Sequence, residues 1–214
     1  MDIQECAFAE GMRHHWETVR SHFFSRNIVG LTDARSVHIL DIGSGDCWFS
    51  ERLLVKLPQG SQIAYSDFNF TEDDPAFLQQ EVQPRLKPGS HLFKSVPAHL
   101  SLFKSHDSFL GHYRRFMRHQ LLNVSAKLFR INQNGYFYNH LALVRTFQRV
   151  PTSKTADAES GIGNWVARSE VANLVNCALF IDAFVSRALQ TIWIGIPGLT
   201  VWTIYGSNQS VASK

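Results

Sequence analysis

The chain has 214 residues, which is long enough for one domain with a substantial core. Hydrophobic residues make up 44% and charged residues 18% of the chain, and these globular values exclude general disorder. The formal net charge is only +3, and the basic residues are dispersed, which argues against a nucleic-acid-binding surface. We therefore expect a single domain over residues 1–214.

The apolar pattern predicts helices that alternate with strands along the whole chain. In the first half we predict, in order, a helix over 4–27, a strand over 37–42, a helix ending before 58–60, a strand over 63–66, a helix up to 85 and a strand over 91–96. In the second half we predict a loop over 98–115, a helix over 117–127, a strand over 129–137, a helix over 139–149, a loop over 151–163, a helix over 165–192 and a strand over 199–205. This alternation predicts an α/β fold whose sheet is mostly parallel.

Cysteine usage and the apolar runs predict the compartment. Cys6, Cys47 and Cys177 are odd in number and far apart, so they favour neither a disulfide framework nor a zinc site. The first residues do not have the basic and apolar regions of a signal peptide, and no run reaches about 18 apolar residues. We expect a cytoplasmic protein with no metal and no integral membrane span.

A glycine-rich loop follows the first predicted strand in the stretch HILDIGSGDCWFSERL. Asp41, Gly43 and Gly45 stand where the backbone of an α/β protein approaches a ligand, beyond the carboxyl end of a strand. Trp48 occupies the last glycine position of a dinucleotide fingerprint, and no P-loop lysine follows. Asp46 also adds negative charge at the start of the next helix, where a pyrophosphate needs a positive end. The loop therefore favours a cofactor without phosphate.

The loop resembles motif I of the class I S-adenosylmethionine-dependent methyltransferases, whose pattern is D/E-x-G-x-G-x-G. Asp41, Gly43 and Gly45 match it, and Cys47 stands at the third glycine, a position where a small side chain can be fitted. The resemblance implies a Rossmann-like sheet, mostly parallel with an antiparallel C-terminal strand, and S-adenosyl-L-methionine as the cofactor. It further implies that residues 43–45, including Ser44, lie against the cofactor and that Asp41 orients the loop or the cofactor's amino group. Asp67, after the second strand, would accept hydrogen bonds from the ribose hydroxyls.

Further segments are similar to one branch of that family, which is often associated with sugars, lipids or secondary metabolites. These segments are HHW at 14–16, LKPG at 86–89, SHD at 105–107 and GHYRRF at 111–116. The resemblance implies a small-molecule substrate. It also implies a helical cap over 1–30, a cofactor-binding half over 36–97, and a substrate loop with the C-terminal half over 98–214.

Two histidines and two charged residues are the candidates for the substrate side. His106 or His112 could serve as the general base, because the pKa of a histidine lies near neutrality. Arg115 could bind an anionic substrate group, with Asp107 in the same segment. An equally weighted alternative is that these four side chains form a structural knot that pins the loop.

The chain is shorter than the family pattern between motif I and the LKPG turn. Only 48 residues separate Asp41 from Gly89, whereas five strands with their crossovers need about 90 to 100. Two strand-helix units are therefore missing. If the strand over 63–66 is the family's second strand, Asp67 is the ribose acceptor; if it takes the place of the fourth, Asp67 lies near the methyl group. The first assignment is favoured slightly.

The leading hypothesis is methyl transfer to an oxygen, nitrogen or carbon of a small molecule. The alternative is a shortened, catalytically inactive methyltransferase-like module that binds a ligand or a partner chain. That alternative predicts an exposed apolar patch beside the missing strands and a homodimer. A third, weaker hypothesis is a membrane-surface role for the long helix near Trp193.

Overall fold

The computed structural model describes residues 15–42, 44, 46–66, 82–103, 107, 114–126, 129–147, 169–191 and 196–207. Its helices are α1 (His15–Val29), α2 (Trp48–Leu54), α3 (Arg118–Ala126), α4 (Asn139–Phe147) and α5 (Ser169–Thr191). Its strands are β1 (His38–Ile42), β2 (Gln62–Ser66), β3 (His91–Pro97), β4 (Phe129–Phe137) and β5 (Thr200–Ser207). Two short 3-10 turns, Gln83–Arg85 and Leu100–Leu102, precede and follow β3.

These bounds confirm most of the predicted elements. β4 has the predicted limits, and α3 and β3 differ from theirs by about one residue. The helix predicted over 4–27 is described from His15 onward and ends at Val29. Most of the helix predicted before residue 85 and all of the loop predicted over 151–163 fall outside the described residues.

β1 and β2 pair in parallel, from His38 opposite Gln62 to Ile42 opposite Ser66. α2 provides the crossover between them, as a parallel pair requires. Because parallel strands end at the same edge of a sheet, the glycine-rich loop and residue 67 both follow that edge in the sequence.

The other three strands form a separate antiparallel sheet in the order β3-β5-β4. Residues 201–205 of the central strand β5 are all buried, as expected for a strand with neighbours on both edges. A bulge at Ile131/Gln133 shifts the register of β4.

The mixed α/β class and the antiparallel C-terminal strand are thus confirmed, but the described strands form two small sheets instead of one mostly parallel sheet. An intervening helix implies parallel strands only where the connection crosses over one sheet. Two helices, α4 and α5, lie between β4 and β5 in the sequence, and the two strands nevertheless pair antiparallel.

The junction between β4 and α4 is held tightly to the start of β5. Tyr138 has a positive φ of 64°. The side chain of Asn139 donates to the carbonyls of Ile196 and Pro197, at 2.5 and 3.2 Å. A Cβ at Gly198 would lie 2.4 Å from the carbonyl oxygen of Phe137, so only glycine fits there.

The elements belong to two compact units. The first contains α1, β1, α2, β2 and α5 through Ala183; the second contains β3, α3, β4, α4, β5 and the rest of α5. Val19, Phe23 and Leu53 are buried in the first unit. Ala98, Phe116, Leu121 and Val201 form a buried cluster in the second. The single-domain expectation stays a prediction.

Within the described ranges, no helix combines the length and the apolar character needed to cross a membrane.

Candidate functional site

The structure describes four of the nine predicted site residues: Asp41, Ser44, Asp107 and Arg115. Gly43, Gly45, Asp67, His106 and His112 lie outside the described residues. The geometry below therefore concerns the flanks of the glycine-rich loop and the end of the predicted substrate segment.

Asp41 lies at the carboxyl end of β1 and accepts a hydrogen bond from the hydroxyl of Ser50 in α2. Ser50 is buried and Asp41 half-buried, so the bond is shielded from much of the competing water. It fastens the strand before the loop to the helix after it. Of the two roles that the resemblance implies for Asp41, this contact matches orientation of the loop. Sequence reasoning missed Ser50, although a serine in the first turn of the next helix is a plausible partner for a carboxylate at the strand end.

Ser44 and the residues that follow it form a compact turn into α2. The Cys47 amide donates to the Ser44 carbonyl at 3.1 Å, and the Glu51 amide donates to the Cys47 carbonyl at 3.0 Å. The Trp48 amide contacts the Asp46 carboxylate at 3.4 Å, which satisfies one free donor of the first helical turn. Ser44 itself is buried. The loop thus re-enters regular structure through hydrogen bonds of its own backbone.

Cys47 has a left-handed backbone, with φ 62° and ψ 0°. Glycine adopts this conformation without the steric cost that a Cβ imposes. The third glycine position of the family pattern therefore falls on a residue whose backbone favours glycine. From the sequence, only the size of the Cys47 side chain was expected to matter. The structure shows that its left-handed backbone also favours glycine.

Arg115 is buried in the second unit, and its Nη1 donates to the Ala98 carbonyl at 3.0 Å. The same segment is fixed by its backbone, because the Phe116 amide donates to Pro97 at 2.9 Å and the His99 amide donates to Phe116 at 3.1 Å. This contact is the kind that the structural-knot alternative expects for Arg115. Asp107 is also buried, and it belongs to the first unit.

His99 is a further candidate that sequence reasoning missed. Its ring stacks on Tyr136 with centroids 5.3 Å apart, and its backbone has φ 62° and ψ 100°. Its Nε2 is buried and has no hydrogen-bond partner in the part of the chain that the structure describes. Burial, with a smaller contribution from the nearby Arg115 charge, lowers the pKa of His99 below its ordinary value, so the imidazole is neutral at pH 7. No sequence pattern marks this histidine, since its partners come from other segments.

No protein-family model, no curated protein and no solved structure matches this chain. In the described ranges no cluster of three or more His, Cys, Asp or Glu side chains could hold a metal ion.

Proposed function

We propose that the protein is an S-adenosylmethionine-dependent methyltransferase that acts on a small molecule. The observation that carries this proposal is the strand-loop-helix unit at β1. Its strand-end Asp41 is bonded to Ser50 in the following helix, and the third glycine position of the motif has the left-handed backbone that glycine favours. In the proposal, β1 and β2 belong to a Rossmann-like sheet reduced by two strand-helix units.

In this proposal residues 43–45 approach the methionine and ribose portions of the cofactor. Asp67 directly follows Ser66, which pairs with Ile42 before the loop, and this adjacency supports a shared role in cofactor binding. The second and the fourth strand of the family's sheet both lie beside the first, so the pairing is compatible with either assignment of β2. We favour the ribose-binding role for Asp67. Asp67→Asn then weakens cofactor binding; loss of turnover with unchanged cofactor affinity would instead favour a place near the methyl group.

The proposed reaction moves the methyl carbon from the sulfonium to a nucleophilic atom of the substrate. The carbon-sulfur bond breaks, its electron pair stays on sulfur as a thioether, and a base accepts the proton of the nucleophile. His106 or His112 is proposed for that base, since a histidine accepts a proton near neutral pH. Asp107 and Arg115 are proposed for binding the substrate, and Arg115 also donates to the Ala98 carbonyl.

Calorimetric titration with S-adenosylmethionine and with its demethylated product tests the proposal. We expect saturable binding of both ligands, abolished by Gly43→Val because a side chain there would block the approach of the loop. Ala64→Val, which adds bulk at an exposed position of β2, is the matched control and leaves binding unchanged. No detectable heat at millimolar ligand with the folded wild-type chain would refute the proposal.

A second candidate function is supported by exposed apolar side chains of the parallel pair. Parallel sheets are normally covered on both faces, yet Leu40 is 53% exposed, and its register partner Ala64, on the same face, is exposed as well. Tyr65 pairs with Asp41 on the opposite face and is 59% exposed. Uncovered apolar side chains in this place are what the shortened, inactive module predicts, with a second copy of the chain or another protein covering the face of Leu40.

Sedimentation separates the two candidates. The inactive module is expected to be a dimer that Leu40→Lys converts to a monomer, while Val55→Lys, at an 88% exposed turn residue, is the control and leaves the mass unchanged. A wild-type monomer with tight cofactor binding would contradict the inactive module and support the enzyme.

A further inference from the structure

α5 has a stripe of apolar side chains on its outer side. Leu174, Ile181 and Phe184 are 72%, 60% and 73% exposed, and Cys177 is exposed as well. These four residues are separated by three, four and three positions, so they lie along one side of the helix. Helices of globular proteins normally turn such a stripe toward the core. A stripe left in contact with water marks a surface that another molecule can cover.

The buried side of α5 shows why the stripe is not turned inward. Leu179, Asp182 and Ser186 are buried, and their spacing of three and four places them on the side opposite the stripe. In the second unit the hydroxyl of Ser186 donates to the side-chain carbonyl of Asn139. Turning the stripe inward would break this bond and expose Leu179. The orientation of α5 is therefore fixed by its buried side, and the apolar side is left outside.

The pattern of the stripe is that of a coiled-coil seam. Leu174 and Ile181 occupy successive a positions of the heptad, and Cys177 and Phe184 occupy the d positions. In such a seam each side chain packs into a hole formed by the facing helix. An identical helix related by a twofold axis presents the same line of side chains, so the surface is complementary to itself. None of the four side chains is charged, so two copies bring no like charges together along this line.

The exposed area of the stripe is sufficient for a specific contact. Together with Phe180, which is 38% exposed at its border, the large side chains of Leu174, Ile181 and Phe184 leave roughly 500 Å² accessible to water. Two copies in contact can therefore bury roughly 1,000 Å² of apolar surface. This is the area that a specific interface needs, before the smaller residues at its border are counted.

We infer that the protein forms a twofold dimer in which α5 of one copy packs against α5 of the other through this stripe. Ile181 lies near the centre of the contact, between Cys177 and Phe184. The surface differs from the one around Leu40, since it lies on a different element. The dimer depends neither on cofactor binding nor on methyl transfer, so it can be tested without either.

Sedimentation velocity of the full chain at concentrations up to about 100 µM tests the dimer. We expect the mass of two chains for wild type and of one chain for Ile181→Lys, because a charge in the seam weakens association by at least about tenfold. Ile181 is exposed in the single chain, so the variant should keep the far-ultraviolet circular dichroism of wild type. An Ile181→Lys variant that still sediments as two chains would overturn the proposal. A wild-type mass of one chain throughout would also overturn it and leave the stripe to a different protein or to a membrane surface.

Two control variants locate the contact. Val55→Lys adds the same charge at an 88% exposed apolar residue in the turn after α2, and it should leave the dimer intact. Leu40→Lys, on the parallel pair, should leave it intact as well. Dissociation by Val55→Lys as strong as by Ile181→Lys would assign the effect to general charge repulsion and overturn the proposal. Dissociation by Leu40→Lys alone would place the contact on the parallel pair, with the same consequence.

Alkylation of Cys177 by iodoacetamide, followed by peptide mass mapping, gives an independent measure of the same contact. The dimer covers this thiol, whereas the single chain exposes it. Phe184→Ala removes a ring from the seam without adding charge, so Cys177 should react faster in this variant than in wild type at the same concentration. Cys47, outside α5, is the internal reference and should react at the same rate in both. Equal Cys177 rates in the two proteins would overturn the proposal.

Discussion

Replacement of Cys47 by glycine should stabilise the protein. Cys47 has φ 62° and ψ 0°, a region that costs a residue with a Cβ about 1–2 kcal/mol. Glycine removes this cost but gives the unfolded chain more conformational freedom, which offsets about 0.4–1 kcal/mol. The substitution also removes the weak hydrogen bond from the Cys47 thiol to the Ser44 hydroxyl at 3.8 Å, which reduces the gain. The expected net gain in the free energy of unfolding is about 0.5–1 kcal/mol.

Urea unfolding followed by circular dichroism measures this gain against two controls. Cys47→Ala keeps the Cβ and the strained backbone, so its stability should stay within about 0.5 kcal/mol of wild type. Cys177→Gly makes the same substitution at an exposed residue inside α5 and should lose about 1 kcal/mol, because glycine is a poor helix former. If Cys47→Gly is no more stable than Cys47→Ala, the argument from a strained loop is wrong.

Three further changes have defined expectations. Ser50→Ala removes the hydroxyl that donates to the carboxylate at the end of β1, and urea unfolding should show a loss of about 1–3 kcal/mol; an unchanged midpoint would contradict a stabilising role for that bond. Gly198→Ala places a methyl group 2.4 Å from the Phe137 carbonyl and should cost more than Gly89→Ala, whose φ of 80° is strained but whose surroundings are open; equal losses would argue against the close approach. The pKa of His99 is lowered in the folded state, so its contribution to stability is present above the ordinary value of 6.5 and is lost as the pH falls below it. His99→Gln should therefore reduce the acid-side slope in pH-dependent unfolding, and an unchanged slope would show that this histidine does not contribute.

Local features of the fold could be predicted from the sequence, and pairings over long distances could not. The alternation of side chains over 129–137 located β4 because burial on one face of a strand repeats every second residue. The described parallel sheet has two strands, and the absence of two strand-helix units, inferred from the short spacing between Asp41 and Gly89, stays a prediction. The residue pattern did not identify β3 as a partner of β5, because about 100 residues lie between the two strands. Side-chain alternation does not specify strand direction either, and the antiparallel direction of the C-terminal strand was implied only by the family resemblance.

In the candidate site, too, local features could be predicted from the sequence and contacts between distant segments could not. The position of Asp41 at a strand end followed from its place after an apolar run, and the loop after it carries the motif. Ser50 and His99 were missed for one physical reason: each depends on side chains brought together from different segments. The aromatic spacing in α1 correctly predicted that Phe23 is buried. It contained no information about Lys56, which lines a pocket with His22 and Val29 of that helix although it comes from the turn after α2.

The place of β5 in its sheet has a consequence for synthesis on the ribosome. β3 and β4 have no hydrogen bonds to each other and meet only through β5, which follows them in the sequence. About 60 residues separate the end of β4 from the start of β5, so at about 5–20 residues per second the two earlier strands wait about 3 to 12 s for their partner. During that interval their open edges can pair with other chains. The nascent protein is therefore expected to depend on chaperones until β5 has left the exit tunnel.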